Sequence, residues 1–406
     1  MKTLFTNARL VCPLGGVSNG QLLVDAETIV AMGDFEAPSD AQVIDVAGKI
    51  LAPALVDLGV FAVDRAACRA GGIARVGLMP DQSPVLDDPG IVRRAALSGK
   101  PALWVHPIAA ATQGLKGTDL AEMALNASAG ARAVATGRRW IASSGTMRKV
   151  LAYARDCGLA VVAHAEDGGL TDGTAATEGE TATRLGLPAA PAMAEALAIA
   201  RDLMLAEETG ARIHFRQVTT AAGFDLIRAA KRRGVRVTCG ITPAHLLLSD
   251  IAISDFRTYA RLSPPLRDES DRQAAREAVR DGTVDVLSSG HDPRGPEEKR
   301  LPFADAEPGM SGAGTLLALS LGLVRDGVLP IERLFALLAR NPAKILGLET
   351  GTLEPGKPAD LVVLDEGSPW LIDATRMAAR AGNTPFDGLP VQGKVLALYK
   401  GGTLVD

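Results

Sequence analysis

The middle of the chain alternates apolar strand-like segments with helix-like segments, and this alternation limits the possible folds more than any other feature. The strand-like segments are 159–163, 212–218, 235–239 and 283–287, and the helix-like segments between and around them are 119–129, 146–156, 192–208, 221–233 and 272–280. Such regular alternation is typical of parallel βαβ units. The sequence therefore predicts an α/β fold, either a barrel or a doubly wound sheet.

The two ends of the chain have a different sequence pattern, in which short β-rich runs are separated by turns that contain Gly, Asn and Asp. The simplest arrangement is one small β-sandwich domain built from residues 1–52 and 349–406, with residues 53–348 inserted between them as the α/β domain. At 406 residues the chain has the length for a barrel and a second domain.

The segment 53–64 is predicted to be the strand that leaves the terminal domain and opens the α/β domain. Alternate residues of a strand point to the same side, so Leu55, Asp57, Gly59 and Phe61 are expected to share one side. A hydrolase that builds a metal centre on such a strand would place ligands at Gly59 and Phe61. Neither side chain can donate an electron pair, which raises the question of whether the chain is an enzyme.

Composition excludes several classes of protein. The chain is 47% hydrophobic with a formal net charge of −4, so a large core is expected and a nucleic-acid surface is not. The four cysteines are scattered and are read as reduced thiols. We see no apolar signal-peptide region and no run long enough to span a bilayer, so we expect a cytoplasmic protein without a membrane partner.

Several motifs identify a family. The segments "PALVDLGVF" (53–61), "MPDQSPVLDDP" (79–89), "VVAHAEDGGL" (161–170), "TCGITPAHLLLSD" (238–250), "RLSPPLRDESDRQA" (261–274) and "NTPFDGLPVQGKV" (383–395) stand in the order and at the spacing found in dihydroorotases. Over almost its whole length the chain resembles the dihydroorotases of the amidohydrolase superfamily. The resemblance implies a distorted (β/α)₈ barrel, similar to a TIM barrel, together with a β-sandwich made from both termini.

The resemblance also shows where the family's metal ligands would lie. The family's first strand carries D-x-H-x-H and then an arginine, but here Asp57 is followed by Gly59, Phe61 and Val63. The segment that supplies a bridging carboxylated lysine or aspartate reads "GARAVATGRR" (130–139), without either residue.

Three more family positions complete the metal set. The histidine of "HAED" is retained as His164, the histidine of "HVST" is Gln217, and the aspartate of "TDHAP", which would bind metal and act as general base, is Gly290. A usable metal site needs about three or four donors. We therefore expect no catalytic residue, no metal site and no cofactor.

Other family positions would leave a vestigial pocket. Asp81 stands for the asparagine of "MPNT" and Ser263 for the asparagine of "NPPL". The vestigial pocket is predicted to comprise Asp81, His164, Gln217, Ser263 and His291. His164 is interpreted as a remnant with satisfied hydrogen bonds, and a structural or solvated role is favoured for His291.

Three functional hypotheses follow from the resemblance. The leading one is a non-catalytic dihydroorotase homologue in pyrimidine biosynthesis that assembles with the catalytic chain of aspartate carbamoyltransferase, as a homo- or hetero-oligomer. A second is an active hydrolase of dihydroorotate or another cyclic amide, with a rearranged zinc site using His164, His291 and Asp292 or Asp81. A third is a sensor that binds a pyrimidine intermediate without converting it.

Overall fold

The computed structural model describes residues 2–406, which form eighteen strands and fourteen α-helices. The strands are β1 (Lys2–Cys12), β2 (Gly16–Asp25), β3 (Thr28–Gly33), β4 (Gln42–Asp45), β5 (Ile50–Pro53), β6 (Leu55–Val60), β7 (Ile73–Leu78), β8 (Trp104–Ala110), β9 (Ala133–Ala135), β10 (Ala160–Ala163), β11 (Ala176–Thr177), β12 (Ala189–Ala190), β13 (Arg212–Phe215), β14 (Val237–Ile241), β15 (Val286–Leu287), β16 (Leu361–Leu371), β17 (Pro390–Lys400) and β18 (Thr403–Leu404).

The helices lie mostly between the barrel strands. They are α1 (Arg65–Ala70), α2 (Pro89–Leu97), α3 (Met123–Ser128), α4 (Ser144–Asp156), α5 (Gly168–Thr171), α6 (Glu180–Leu185), α7 (Met193–Thr209), α8 (Ala221–Arg232), α9 (Pro243–Leu247), α10 (Glu269–Asp281), α11 (Pro296–Lys299), α12 (Leu316–Arg325), α13 (Ile331–Phe335) and α14 (Asn341–Ile345). The side chains of Ser143, Thr220 and Asp268 accept hydrogen bonds from the first turns of α4, α8 and α10, which fixes where these helices begin.

Eight parallel strands form a nearly closed barrel in the order β15-β14-β13-β10-β9-β8-β7-β6. Between β15 and β6 the described residues form no strand pair, and side chains complete the closure. Asp57 on β6 accepts hydrogen bonds from the backbone N–H of Ser289 at 2.9 Å and from its hydroxyl. The Phe61 N–H donates to the carbonyl of His291 at 2.9 Å. The first and last strands are therefore held together next to the barrel mouth.

The two chain ends form a second eight-stranded sheet. Its strand order is β18-β17-β16-β5-β1-β2-β3, with β4 pairing β1, so β16 from the C-terminal part lies beside β5 from the N-terminal part. Phe5 and Tyr399 meet edge to face in its core, with ring centroids 5.0 Å apart. The predicted α/β barrel with a strand-rich domain from both termini is thus confirmed, whereas the boundaries at 52/53 and 348/349 stay a prediction.

The opening strand differs from its predicted alternation. Gly59 has a φ of +96°, and the pairing of β6 with β7 shifts register between Leu58 and Val60. Because of this bulge, Phe61 packs in the same interior cluster as Leu58, while Leu55 packs in the layer between the barrel and its helices. The prediction that Leu55 and Phe61 share one side was therefore wrong.

Among residues 2–406, no helix combines the length and the apolar composition needed to cross a bilayer.

Candidate functional site

The candidate site lies at the carboxyl ends of the barrel strands, where barrel enzymes carry their chemistry. Four strand ends deliver polar or aromatic side chains to this mouth, and Gly290 follows a fifth, β15. These side chains are Phe61 after β6, Arg138 after β9, His164 and Glu166 after β10, and Arg216 and Gln217 after β13. The site is thus assembled from segments that are distant in sequence but adjacent in the barrel.

Phe61 occupies the centre of the mouth beneath two arginines. The guanidinium carbon of Arg138 lies 3.7 Å from the centroid of the Phe61 ring, and that of Arg216 lies 4.9 Å from it. A cation over an aromatic face is stabilised by about 2 kcal/mol when the contact is desolvated. The apolar ring and two positive charges therefore fill the region in which the family would hold its cations.

The two glycines at family ligand positions are closely packed by neighbouring side chains. A Cβ atom at Gly59 would lie 3.3 Å from Cδ of Arg216. A Cβ atom at Gly290, whose φ is +59°, would lie 3.0 Å from Cγ2 of Thr242 and 3.4 Å from Nε2 of Gln217. Neighbouring side chains therefore lie close to the positions from which a ligating histidine or aspartate would project.

The residues present do not fit a binuclear metal centre. Gly59, Phe61 and Gly290 have no donor atom, and Gln217 offers only an amide oxygen. Within residues 2–406, no group of three or more His, Cys, Asp or Glu side chains is arranged to hold a metal ion. Arg138 and Arg216 would also repel a divalent cation at this place.

Two neighbouring spaces lie at the mouth. The inner cavity has a volume of about 30 Å³ and is lined by Phe61, Arg216, Gln217, Ser263, Gly290 and Asp292, among others. The outer cleft has a volume of about 570 Å³, and its lining includes Arg139, Trp140, His164, Glu166, Asp172 and Arg261. Arg138 and Ser263 line both.

A buried polar network stands beside the outer cleft. Nε2 of His164 lies 3.4 Å from Glu166, and Arg267 donates to Glu166 at 2.9 Å. Burial acts to raise the pKa of Glu166, but its hydrogen bond with His164 and the charge of Arg267 outweigh burial and lower this pKa to about 2. His164 therefore contacts a carboxylate that is also paired with Arg267. These contacts favour a structural role for His164.

Glu195 extends this network from α7. Its carboxylate accepts hydrogen bonds from the backbone N–H groups and the hydroxyls of both Thr219 and Thr220, and one oxygen lies 3.6 Å from Arg267. Burial raises the pKa of Glu195 despite these contacts. Arg267, from the "PPLR" motif, thus links the segments after β10 and β13 to α7.

The five residues of the predicted vestigial pocket do not line one common cavity in the structure. Gln217 and Ser263 line the inner cavity, and His164 lines the outer cleft. Asp81 is absent from both linings; its Oδ1 accepts a hydrogen bond from the Arg138 N–H at 3.0 Å. His291 is fully buried outside both spaces, with Nε2 3.6 Å from Asp64.

These placements separate the ligands of the rearranged zinc site. Nδ1 of His291 accepts a hydrogen bond from the N–H of Ala313 at 3.4 Å, and its Nε2 lies 3.6 Å from Asp64. Asp292 is paired with Arg138 at 2.5 Å and with Arg294 at 3.2 Å. His164, His291 and Asp292 therefore face three different sets of partners.

His214 gives a testable pH dependence. It is buried on β13 with Nδ1 2.9 Å from the hydroxyl of Thr238, and burial, then the charges of Lys231 and Arg216, lower its pKa to about 3. The unfolded state, with a histidine pKa near 6.5, binds the extra proton first as the pH falls.

We therefore expect His214 to contribute stability above pH 6.5 that is lost below it, amounting to about 2 kcal/mol at pH 5. The measurement is denaturant unfolding of His214→Asn and of the unmodified protein at pH 7 and pH 5. From pH 7 to pH 5, the free energy of unfolding of His214→Asn should fall by about 2 kcal/mol less than that of the unmodified protein. Between pH 7 and pH 8 the two proteins should change in parallel. An equal loss at pH 5 would contradict a neutral buried His214.

Two residues of the site were missed by the sequence analysis. Arg138 and Arg216 each follow a barrel strand, the position that drew attention to His164 and Gln217, so the signal was present. The family pattern points to metal ligands at these strand ends, and arginine is not a metal ligand.

Comparisons with known proteins agree with the geometry. Residues 106–405 match the model of the amidohydrolase family. The chain is 38% identical to the dihydroorotase of Pelobacter propionicus, covering 100% of this chain and 99% of that protein, and 37% identical to the dihydroorotase of Syntrophus aciditrophicus at the same coverage.

Solved structures with the same fold include hydantoinases and dihydropyrimidinases. The L-hydantoinase (dihydropyrimidinase) of Arthrobacter aurescens superimposes with a TM-score of 0.88 at 25% identity, covering 99% of this chain and 95% of that one. The dihydropyrimidinase of Brevibacillus agri gives 0.86 at 22% identity, covering 100% and 95%, which shows the fold alone. From the barrel, the strand-end site and these full-length matches, the chain belongs to the amidohydrolase family, as a homologue of its dihydroorotases.

Proposed function

We propose that this chain is a non-catalytic dihydroorotase homologue that serves pyrimidine biosynthesis as an assembly subunit of aspartate carbamoyltransferase in the cytoplasm. One observation carries the non-catalytic part: Phe61, with Arg138 and Arg216 over its ring, fills the mouth where the reaction would need metal-bound water.

Metal-dependent hydrolysis of a cyclic amide requires a cation that acidifies water and a carboxylate that accepts its proton. The position of the family's general base is Gly290, and a side chain there would meet Thr242 and Gln217. The carboxylates around the mouth, Glu166, Asp292 and Asp81, each lie within 4.0 Å of an arginine nitrogen. No residue of the mouth is therefore free to act as the base.

The assembly part rests on the resemblance stated above. Inactive dihydroorotase-like chains of this kind hold the transferase in a large complex and are needed for its activity. The chain keeps the whole barrel and the terminal sheet, while Phe61 and two arginines occupy the barrel mouth. This combination supports a role as a structural subunit that binds another protein. Fold alone does not determine function, so the partner requires a direct test.

The test is co-expression of this chain with the aspartate carbamoyltransferase of the same organism, followed by light scattering of the purified material. We expect one large hetero-oligomer of fixed stoichiometry, and transferase activity that depends on this chain. Separate elution of the two chains at micromolar concentration would contradict the assembly role. A transferase from an unrelated organism serves as the control and is expected to elute alone.

The hydrolase hypothesis is tested on the same preparation. We expect less than one tenth of an equivalent of zinc per chain after incubation with zinc and desalting, since about three donors are needed for a site, and no turnover of dihydroorotate. Stoichiometric zinc with turnover that is lost in His164→Ala would overturn the non-catalytic reading.

A further inference from the structure

A separate cavity lies at the end of the barrel opposite the mouth, and we call it the floor cavity. It has a volume of about 260 Å³ and lies at the amino ends of β10, β13 and β14, just before β15 and beside α14. Ala160 and Ile345, which pack in the barrel interior, form part of its apolar lining. Three cations, Arg212, Arg236 and Lys344, line it as well. Barrel enzymes carry their chemistry at the other end, so the mouth gives no reason for these charges.

Two of the cations, Arg212 and Arg236, lie side by side at the start of neighbouring strands. β13 and β14 pair in parallel with Ile213 opposite Val237, and the Ile213 N–H donates to the carbonyl of Arg236 at 3.1 Å. Ile213 packs in the layer outside the barrel, so alternation turns Arg212 toward the interior. Burial, then the charge of Arg236, lowers the pKa of Arg212. The fold thus holds two like charges next to each other.

No carboxylate forms an ion pair with the three cations of the floor cavity. The guanidinium groups of Arg212 and Arg236 donate to the backbone carbonyls of Gly158 and Gly210. Across residues 2–406, no carboxylate oxygen lies within 4.0 Å of either guanidinium or of the Lys344 ammonium. A carbonyl can accept a hydrogen bond from an arginine, but it does not neutralise the charge.

Asp285 is the carboxylate in the lining of the floor cavity, and it is paired with another residue. Its Oδ2 lies 2.7 Å from Nζ of Lys231 on α8. The Asp285 charge also acts on Lys344, but less strongly than on Lys231. Three cations against one carboxylate leave the lining with a net charge of +2. The floor cavity therefore has the electrostatic character of an anion site.

We propose that the floor cavity binds a small phosphate monoester, whose phosphate group is held by Arg212, Arg236 and Lys344. A phosphate monoester has three acceptor oxygens and a charge of about −1.5 to −2 at neutral pH, which complements this lining. Arginine binds phosphate through two parallel N–H···O bonds, and lysine acts as a point charge. This inference is independent of the proposed function, because the floor cavity and the mouth lie at opposite ends of the barrel.

The size of the floor cavity limits the rest of the ligand. Its volume is just below the range of about 300–1,000 Å³ found for sites of drug-sized molecules, so it suits a body about as large as one sugar. Nδ2 of Asn341 donates to the carbonyl of Asp285 at 2.8 Å, and its Oδ1 can accept from a ligand hydroxyl. Ala160 and Ile345 can contact the carbon skeleton. Sugar phosphates and mononucleotides share this chemistry, and the experiment distinguishes them.

The experiment measures binding by calorimetry and thermal unfolding on the full chain, in a buffer of low salt without phosphate. The probes are ribose 5-phosphate, AMP, inorganic phosphate and ribose. The variants are Arg212→Met and Lys344→Met. The control, Arg376→Met, removes the same charge from an arginine whose side chain is 85% exposed and which does not line the floor cavity.

We expect ribose 5-phosphate to bind and to raise the unfolding temperature of the unmodified protein and of Arg376→Met equally, and ribose to have no effect. Arg212→Met should weaken binding by about tenfold or more, since charge-assisted hydrogen bonds are lost. Lys344→Met should weaken it by about threefold, as for an exposed ion pair. Without ligand, Arg212→Met should unfold at the same or a higher temperature, because repulsion from Arg236 is removed.

The probes also identify the source of the phosphate group. Tighter binding of AMP than of ribose 5-phosphate would support the site with a mononucleotide as its ligand, and weaker binding of AMP would support it with a sugar phosphate. Binding of inorganic phosphate as tight as that of both monoesters would overturn the inference, because the body of the ligand would then make no contact.

Three further results would overturn the inference. They are no binding of either monoester, equal binding by the unmodified protein and Arg212→Met, and equal weakening in Arg212→Met and Arg376→Met, which would trace the effect to net charge alone. Lys344→Met changes an exposed side chain, so it tests the site even where Arg212→Met does not fold. None of these measurements involves zinc, turnover or the transferase, so failure here would leave the proposed function standing.

Discussion

Replacing Arg267 with Met is expected to lower the free energy of unfolding by about 3–5 kcal/mol, the usual cost of removing one partner of a buried ion pair. Arg267 is 3% exposed and donates to Glu166, Thr177 and Thr219. Its removal leaves the carboxylates of Glu166 and Glu195 buried without their shared cation. Methionine keeps the stem volume, so the loss comes from charge and hydrogen bonds.

The measurement is denaturant unfolding at pH 7, with Arg148→Met as the matched control. Arg148 pairs with Glu208 at 2.7 Å on the surface, where both side chains are more than half exposed. Such pairs contribute about 0–1 kcal/mol, so the control should unfold almost as the unmodified protein does. If both variants lost the same small amount of stability, the buried network would not support the barrel mouth.

The same variant tests the source of the low pKa of Glu166. That pKa is about 2, so Glu166 contributes stability that is present above the unfolded-state pKa near 4.3 and is lost as the pH falls toward 2. In Arg267→Met this contribution should be smaller, because burial raises the pKa of Glu166 and the charge of Arg267 no longer lowers it. The difference between the two proteins should therefore narrow on acidification below pH 4, where the glutamates of the unfolded state take up protons.

The architecture was predictable because it depends on patterns that repeat along the chain. The alternation of strand-like and helix-like segments placed α4, α7, α8 and α10 within a few residues of their observed bounds. The short β-rich runs at both chain ends predicted that a C-terminal strand such as β16 would join the N-terminal strands. The strand ends also pointed to His164 and Gln217. These predictions need only local propensity and the rule that parallel strands share one active edge.

The filled mouth was not predictable in the same way. The sequence showed that Gly59 and Gly290 lack donor atoms, but not that Arg216 would lie against Gly59. That contact joins two strands that are distant in the sequence. It also involves the bulge at Gly59, which cannot be predicted from the alternation of residues along a strand. His291 was misleading for a similar reason, because its position after a strand end does not reveal that the ring turns toward Asp64.

Replacing Phe61 with Ala is expected to cost about 3 kcal/mol of unfolding free energy, at the low end of the range for buried phenylalanine. The ring packs with Leu58 and Met79 in the barrel interior and carries both guanidinium groups on its face. The cost stays at the low end because the polar inner cavity adjoins the ring and water can enter the space that is left.

Phe256 provides the matched control for this substitution. It is 49% exposed, so Phe256→Ala removes the same atoms from a side chain that is already half in water. Its effect should stay within about 0.5 kcal/mol, as for most surface substitutions. A metal centre emptied of ligands but otherwise open would behave differently, since Phe61→Ala would then relieve crowding and leave stability nearly unchanged.

Phe61→Leu separates the ring's bulk from its stacking on arginine. Leucine restores most of the apolar volume but has no aromatic face, so this variant should cost about 1–2 kcal/mol, the worth of desolvated cation–π contacts. Unfolding of the leucine and alanine variants at pH 7 gives the comparison. If Phe61→Leu matched the unmodified protein, Phe61 would act by bulk alone. An intermediate cost would mean that the ring holds Arg138 and Arg216 in place, and that this pair of cations is a built feature of the barrel mouth.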